Sequence, residues 1–291
     1  MEKYKIAIIG TENSHAWTFA EMIQKGMFPE LELIGAFGPD AQANDKMREL
    51  GTPYIAADPM EFLNKADGAV FTSRHGDNHY RYALPYIKKR IPSFIDKPFC
   101  IREENAWEMA SLAKENGTLL CGGSCFEFDE NIKKLHTLVE NHSVGEIRGG
   151  TFTAPANLRN EYGGFFFYTQ HLIQMMLGVF GSDVRSVIAR RDEKRVSAIC
   201  CYENFDVSCL YYDSYRYSAA VYGTEGMAWH ECGQDFPSVF RAELQEFLTM
   251  LKTKRMTKSY LELITPVFLL NAIHKAYTQG EEIEIHLPER I

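Results

Sequence analysis

The chain has 291 residues, 45% hydrophobic and 24% charged, which is enough apolar material for a sizeable core and for one or two domains. A net charge of −8 leaves no basic surplus to neutralise a phosphate backbone or an anionic bilayer, so nucleic-acid and membrane partners are not expected. Seven irregularly spaced cysteines read as reduced thiols rather than a disulfide scaffold or a metal centre, and neither a signal sequence nor a membrane-length apolar run is visible, so a cytoplasmic protein is expected.

The first third alternates strands and helices. Residues 5–9 are a continuous apolar run, as in a strand buried on both faces of a parallel sheet. Helical spacing follows over 16–25, a second strand over 31–37, and a helix over 41–50 closed by Gly51. Residues 54–56 read as a short strand before Asp58-Pro59, an N-cap followed by proline at the first helical position. Strands over 68–72, 93–95 and 118–121 then alternate with helices over 79–89 and 103–116. This order predicts a Rossmann-type, doubly wound parallel sheet, whose ligands lie at the carboxyl ends of the strands.

After about residue 122 the pattern changes. A helix over 131–141 precedes strands over 147–153, 184–189, 196–202, 207–212, 218–222 and 227–230, interrupted by a helix over 168–177 and followed by helices over 239–251 and 260–278. Short turns such as Glu203-Asn204 and 223–226 mark hairpins. The second part is therefore expected to be an α+β domain with a mostly antiparallel, open-faced sheet. The expected division is 1–121 for the Rossmann-type domain and 122–291 for the α+β domain.

Three segments carry a resemblance to a known family. Phe94-Ile-Asp-Lys-Pro98 ends a strand, with His79 eighteen residues before Lys97. Gly163-Gly-Phe-Phe-Phe-Tyr-Thr-Gln-His171 pairs glycines with a histidine on a following helix. Tyr222-Gly-Thr-Glu-Gly226 makes a turn between strands, and Phe240-Arg-Ala-Glu-Leu-Gln-Glu-Phe247 opens a helix. In order and spacing these resemble the glucose–fructose oxidoreductase / inositol dehydrogenase superfamily. The resemblance implies an NAD(P)-dependent oxidoreductase acting on a hydroxyl or carbonyl of a sugar- or polyol-like small molecule, in a homodimer or homotetramer. It implies that the first domain is dinucleotide-binding and that the second serves substrate binding and oligomerisation. It also assigns catalysis to Lys97, which would steady a developing alkoxide, and to His171, which would exchange the proton.

Two departures keep a second reading open. The dinucleotide fingerprint G-x-G-x-x-G is here Gly10-Thr-Glu-Asn-Ser-His15, so Glu12 brings a negative charge toward a bound pyrophosphate. Two unit charges about 4 Å apart repel by about 4 kcal/mol at an effective dielectric near 20. The family's aspartate one turn before the histidine is Phe167, which can neither accept a proton nor orient an imidazole. The alternative is a non-redox relative that senses a small molecule or binds a partner protein. On the oxidoreductase reading, Gly10, Thr11, Glu12, Asn13, Ser14, Asp40, Thr72, Ser73, Asp96 and Lys97 contact NAD or NADP, a choice the sequence leaves open. Asp40 stands in for a ribose-gripping acid that the second strand lacks at Gly38, and Arg159, Tyr162 and Tyr168 are the candidate substrate contacts.

Overall fold

The computed structural model describes residues 3–288. The chain forms two compact units: one runs to Gly123 and takes in Phe240–Ile264, and the other comprises Ser124–Val239 and resumes at Thr265. Segment 240–264, which the sequence pattern groups with the second domain, packs with the first sheet for an apolar reason. Leu244, Phe247, Leu248 and Leu251 complete the core cluster of Ile6, Phe19, Ile23 and Leu31. Phe247 meets Phe94 edge-on, with ring centroids 6.3 Å apart. It also fills the space over Gly68, where a Cβ would lie 2.8 Å from its ring.

In the first unit, strands β1 (Tyr4–Ile9), β2 (Leu31–Phe37), β3 (Gly68–Phe71), β4 (Ser93–Asp96) and β5 (Leu120–Gly123) form a parallel sheet in the order β2-β1-β3-β4-β5. Every residue of β3, β4 and β5 is buried, which accounts for the unbroken apolar run of β3. The short strand expected at 54–56 is reduced to one parallel bridge, Ile55 to Ala36. With that bridge as the outermost member, the succession is the 3-2-1-4-5-6 order of a doubly wound dinucleotide fold. Helices α1 (Ser14–Gln24), α2 (Ala41–Glu49), α3 (Gly76–Lys88) and α4 (Glu103–Asn116) connect the strands. Asn13 caps α1, Asp40 caps α2, and Gly117 ends α4 at φ 69°, a left-handed angle that favours glycine.

The second unit packs α5 (Glu130–Glu140) and α6 (Phe166–Phe180) with a sheet of β6 (Ile147–Pro155), β7 (Ser186–Arg191), β8 (Arg195–Cys201), β9 (Asp206–Tyr212), β10 (Tyr217–Gly223), β11 (Gly226–Cys232) and β12 (Ile283–Glu284). The order is β11-β10-β6-β9-β8-β7-β12, antiparallel throughout except for the parallel pair β6–β9. β8 and β9 alternate buried and accessible residues, as expected for a sheet covered on one face. Against the covered face, Phe180 packs on Phe152 with centroids 5.9 Å apart. Gly150 makes room for it: a Cβ there would lie 2.7 Å from the Phe180 ring. The opposite face carries a row in register across six strands: Ile188, Ile199, Ser208, Thr151, Ala220 and Trp229. Helices α7 (Phe236–Thr253) and α8 (Tyr260–Gln279) complete the chain. No helix among the described residues is long and apolar enough to cross a membrane.

Candidate active site

In the first unit, the predicted cofactor residues gather at the carboxyl ends of β1, β3 and β4. Gly10 leaves β1 at φ 103°, and a Cβ there would lie 2.3 Å from the Ser73 nitrogen. Its N–H donates to Phe37 O at 2.7 Å, and its carbonyl accepts from Thr72 Oγ1 at 2.9 Å, so β1, β2 and β3 are tied where they end. Thr72 and Ser73 are fully buried.

Thr11 is also fully buried, and it explains the missing acid on the second strand. A Cβ on Gly38 would fall 1.8 Å from Thr11 Oγ1, so no side chain fits there. Thr11 Oγ1 donates to Asn44 Oδ1 at 2.7 Å, and Asn44 Nδ2 donates to Gly38 O at 2.9 Å, which locks that junction. Asp40 is exposed, and its Oδ1 accepts from Ala43 N at 2.9 Å as the cap of α2.

Glu12 turns onto the loop after β3, where Oε1 accepts from Arg74 N at 3.4 Å. Oε2 is buried without a hydrogen-bond donor among the described residues. Burial raises the Glu12 carboxyl above the usual carboxylate range, against the lowering pull of backbone N–H groups and the Arg74 charge.

Asp96 organises the remaining residues of this unit. Its Oδ2 accepts from Asn13 Nδ2 at 3.1 Å and lies 2.8 Å from His15 Nδ1, while Oδ1 accepts from Lys97 N at 2.7 Å. Burial pushes this carboxyl up, but His15, Lys97 and His79 outweigh it and hold Asp96 below its ordinary value. Lys97 is 4% exposed and Asp96 fully buried. His79 Nδ1 donates to Pro98 O at 2.7 Å, and burial lowers this imidazole to about 4. His15 takes the third fingerprint position, where its ring meets Phe240 edge-on with centroids 4.5 Å apart. Ser14 is exposed, and its hydroxyl reaches only Asn13 Oδ1, at 3.4 Å.

In the second unit, α6 carries an aromatic run. Tyr162 and Phe167 have centroids 5.0 Å apart, Phe167 and Tyr168 4.4 Å, and Tyr168 and His171 6.1 Å. His171, 4% exposed, is flanked by Phe126 at 5.0 Å and Tyr217 at 5.8 Å. Tyr215 lies 6.0 Å from Tyr168, and burial followed by the Tyr168 phenol pushes its own phenol up to about 12. Asn160 shapes the loop before α6: Oδ1 accepts from Tyr162 N at 2.7 Å and Nδ2 donates to Gly164 O at 2.8 Å. Arg159 stands apart, 74% exposed and 3.6 Å from Glu193 Oε1. Sequence reasoning missed Ser124, whose Oγ lies 2.6 Å from His171 Nδ1, and the Tyr215–Tyr217 pair. The signal for Ser124 was local, a serine heading a turn; its histidine partner lies 47 residues on.

The β1–α1 junction fits a dinucleotide. Gly10 supplies the left-handed turn, and α1 starts without an acidic residue in its first turn, so its positive end can meet a pyrophosphate. Glu12 is the departure, held aside on Arg74 N. Fold and loop thus define a Rossmann-type dinucleotide-binding unit followed by an α+β unit with an open-faced sheet.

Residues 4–123 match the family model described as an oxidoreductase family with an NAD-binding Rossmann fold. A myo-inositol 2-dehydrogenase of Thermotoga maritima is 27% identical over 157 residues, 50% of this chain and 47% of that protein. The chain thus matches about half the length of that relative. Scyllo-inositol dehydrogenase from Lactobacillus casei, solved with NAD(H) and scyllo-inositol, superposes with TM-score 0.84 at 16% identity, covering 98% of this chain and 99% of that one. GenD2 from gentamicin A biosynthesis, solved with NAD, gives TM-score 0.86 at 13% identity over 98% and 97% of the two chains. The family model thus covers the first unit as far as Gly123, and these two solved structures share the fold over nearly the whole chain.

Proposed function

We propose that the chain is a nicotinamide-dinucleotide-dependent oxidoreductase acting on a hydroxyl or carbonyl of a sugar- or polyol-like small molecule. The observation that carries this reading is the Asp96–Lys97 pair at the end of β4. The lysine is buried, its backbone N–H is fixed by the Asp96 carboxylate, and that carboxylate is tied in turn to the α1 cap through Asn13. A nicotinamide dinucleotide, NAD or NADP, would supply hydride transfer when bound. In the oxidative direction the carbinol carbon gives up a hydrogen with two electrons, the hydroxyl gives up its proton, and the C–O single bond becomes a carbonyl. Lys97 stabilises negative charge on that oxygen and His171 exchanges its proton. Gly10, Thr11, Asn13, Thr72 and Ser73 hold the cofactor. Asp40 and Ser14 reach it from exposed positions, and Asp96 orients Lys97. Tyr162 and Tyr168 offer ring faces and phenols to a hydroxylated substrate, and Arg159, ion-paired with Glu193, lies at the outer end of the same loop.

The open sheet face supports a homodimer or homotetramer, because Met227 is 63% and Trp229 58% exposed at one edge of the sheet and Ile188 and Ile199 are exposed toward the other. The first test is calorimetric titration with NAD(H) and NADP(H) in both redox states. Micromolar binding of one of them supports the reading and selects polyols and sugars for turnover assays. A folded protein that binds none at millimolar concentration removes the oxidoreductase reading and brings small-molecule sensing forward.

A further inference from the structure

We infer that Ser124 is a positioning residue that holds neutral His171 in the tautomer whose proton sits on Nε2. The inference rests on the proton-exchange role proposed above for His171. Ser124 is 1% exposed and caps the short 3-10 turn Cys125–Phe128, with Oγ accepting from Phe126 N at 3.2 Å. The same oxygen lies 2.6 Å from His171 Nδ1. A serine oxygen carries one hydrogen and two lone pairs, and an amide N–H only donates. Phe126 therefore takes one lone pair, and the buried hydroxyl hydrogen needs an acceptor. Among the described residues that acceptor is His171 Nδ1. Ser124 donates, Nδ1 accepts, and the imidazole proton is left on Nε2.

The surroundings reinforce this arrangement. Phe126, Tyr168 and Tyr217 put ring faces or edges around the imidazole, which fixes its plane and strengthens a hydrogen bond by excluding water. One helical turn before His171 stands Phe167, so that position offers no carboxylate to accept from Nδ1–H and impose the opposite tautomer. Neutral His171 consequently presents N–H, the form suited to a carbonyl oxygen. To take a hydroxyl proton Nε2 must first be bare, so the imidazole hydrogen moves to Nδ1, the other neutral tautomer. The Ser124 hydroxyl then rotates and accepts through its second lone pair. A hydroxyl partner can pair with Nδ1 in either neutral tautomer, whereas a carboxylate, which only accepts, pairs with Nδ1–H alone.

The test is the imidazole nitrogen shifts of His171, read by long-range heteronuclear NMR on the full chain with isotopically labelled histidine. The expected native pattern of the neutral imidazole is Nε2–H. Ser124→Ala is expected to show averaged tautomers, and Ser124→Thr, which keeps the hydroxyl, the native pattern. A native Nδ1–H pattern, or an unchanged pattern in Ser124→Ala, overturns the assignment. In turnover, Ser124→Ala is expected to lose kcat by about tenfold with KM little changed, short of the hundredfold or more expected on removing a general acid–base group. Native turnover by His171→Asn would instead remove the proton-exchange role, and with it the functional half of the inference, independently of the NMR result.

Discussion

The imidazole of His15 lies 2.8 Å from the Asp96 carboxylate, in the fingerprint position where dinucleotide folds usually place a third glycine. That glycine normally lets helix and strand approach closely. Here a buried polar contact joins α1 to β4 instead, and Asn13 adds a second link to the same oxygen. The loop has exchanged backbone proximity for side-chain bonding, and Asp96 connects the cofactor loop to Lys97.

Lys97→Met keeps most of the stem's apolar volume while removing the charge. Hydride transfer is expected to fall by about a hundredfold or more, with cofactor affinity little changed, because the lost interaction acts on a developing alkoxide. Single-turnover measurement of reduced cofactor checks this, and native turnover in the variant would exclude the proposed role.

Glu12 should set the pH dependence of cofactor binding. Its carboxyl is raised by burial, so as pH climbs through that raised pKa a negative charge appears beside the pyrophosphate and affinity drops; on acidification it recovers. Glu12→Gly is expected to tighten NAD binding by about tenfold at neutral pH. Glu12→Gln should flatten the profile above the usual carboxylate range, where the raised Glu12 carboxyl ionises. Calorimetry across that range gives the answer, and a native profile in Glu12→Gln would rule Glu12 out.

His79 couples folding to acid. Its folded pKa is lowered from 6.5 to about 4, so between those values the unfolded chain binds a proton that the folded chain refuses. The stability it contributes is present above pH 6.5 and is lost as pH falls toward 4, on the order of 3 kcal/mol in all. Asp96, also lowered, adds its loss below the ordinary carboxylate pKa. Denaturant titrations of His79→Asn, which keeps a donor for Pro98 O, should show a shallower slope in the upper window. An unchanged slope would falsify the assignment.

The segment that returns to the first sheet should be energetically part of it. Phe247 is fully buried in that core, so Phe247→Ala is expected to cost about 3–5 kcal/mol. Thermal unfolding should show the loss in the first unit, monitored through its own tryptophans, Trp17 and Trp107. A change confined to the second unit would contradict the packing described.

Much of this fold is legible in the residues. The apolar runs 5–9, 31–37 and 68–72 correspond to β1, β2 and β3, and the turn 223–226 joins β10 to β11. Local patterning suffices there because periodicity and turn chemistry are local. It fails where the partner is remote. Asn13 and Asp96 are 83 residues apart, and nothing in either neighbourhood announces the other. The departures Gly38 and Glu12 stand out as exceptions to a fingerprint, but Thr11 filling the space beside Gly38, and Glu12 turning onto Arg74, are packing outcomes seen only in three dimensions.

The parallel β6–β9 pair also bears on the order in which the second sheet assembles. β7, β8 and β9 form a meander of neighbours in sequence, and β10 with β11 a tight hairpin, so both can close with short loops. β6 precedes all of them, yet it lies between β9 and β10, with Gly149 paired to Asp206 across a long intervening stretch. Strand β6 is the keystone, and loop-closure entropy delays its insertion until its two flanks exist. Pulse-labelled hydrogen exchange during refolding should therefore protect β8 amides before those of β6. The reverse order would mean that the sheet nucleates at its centre and grows outward.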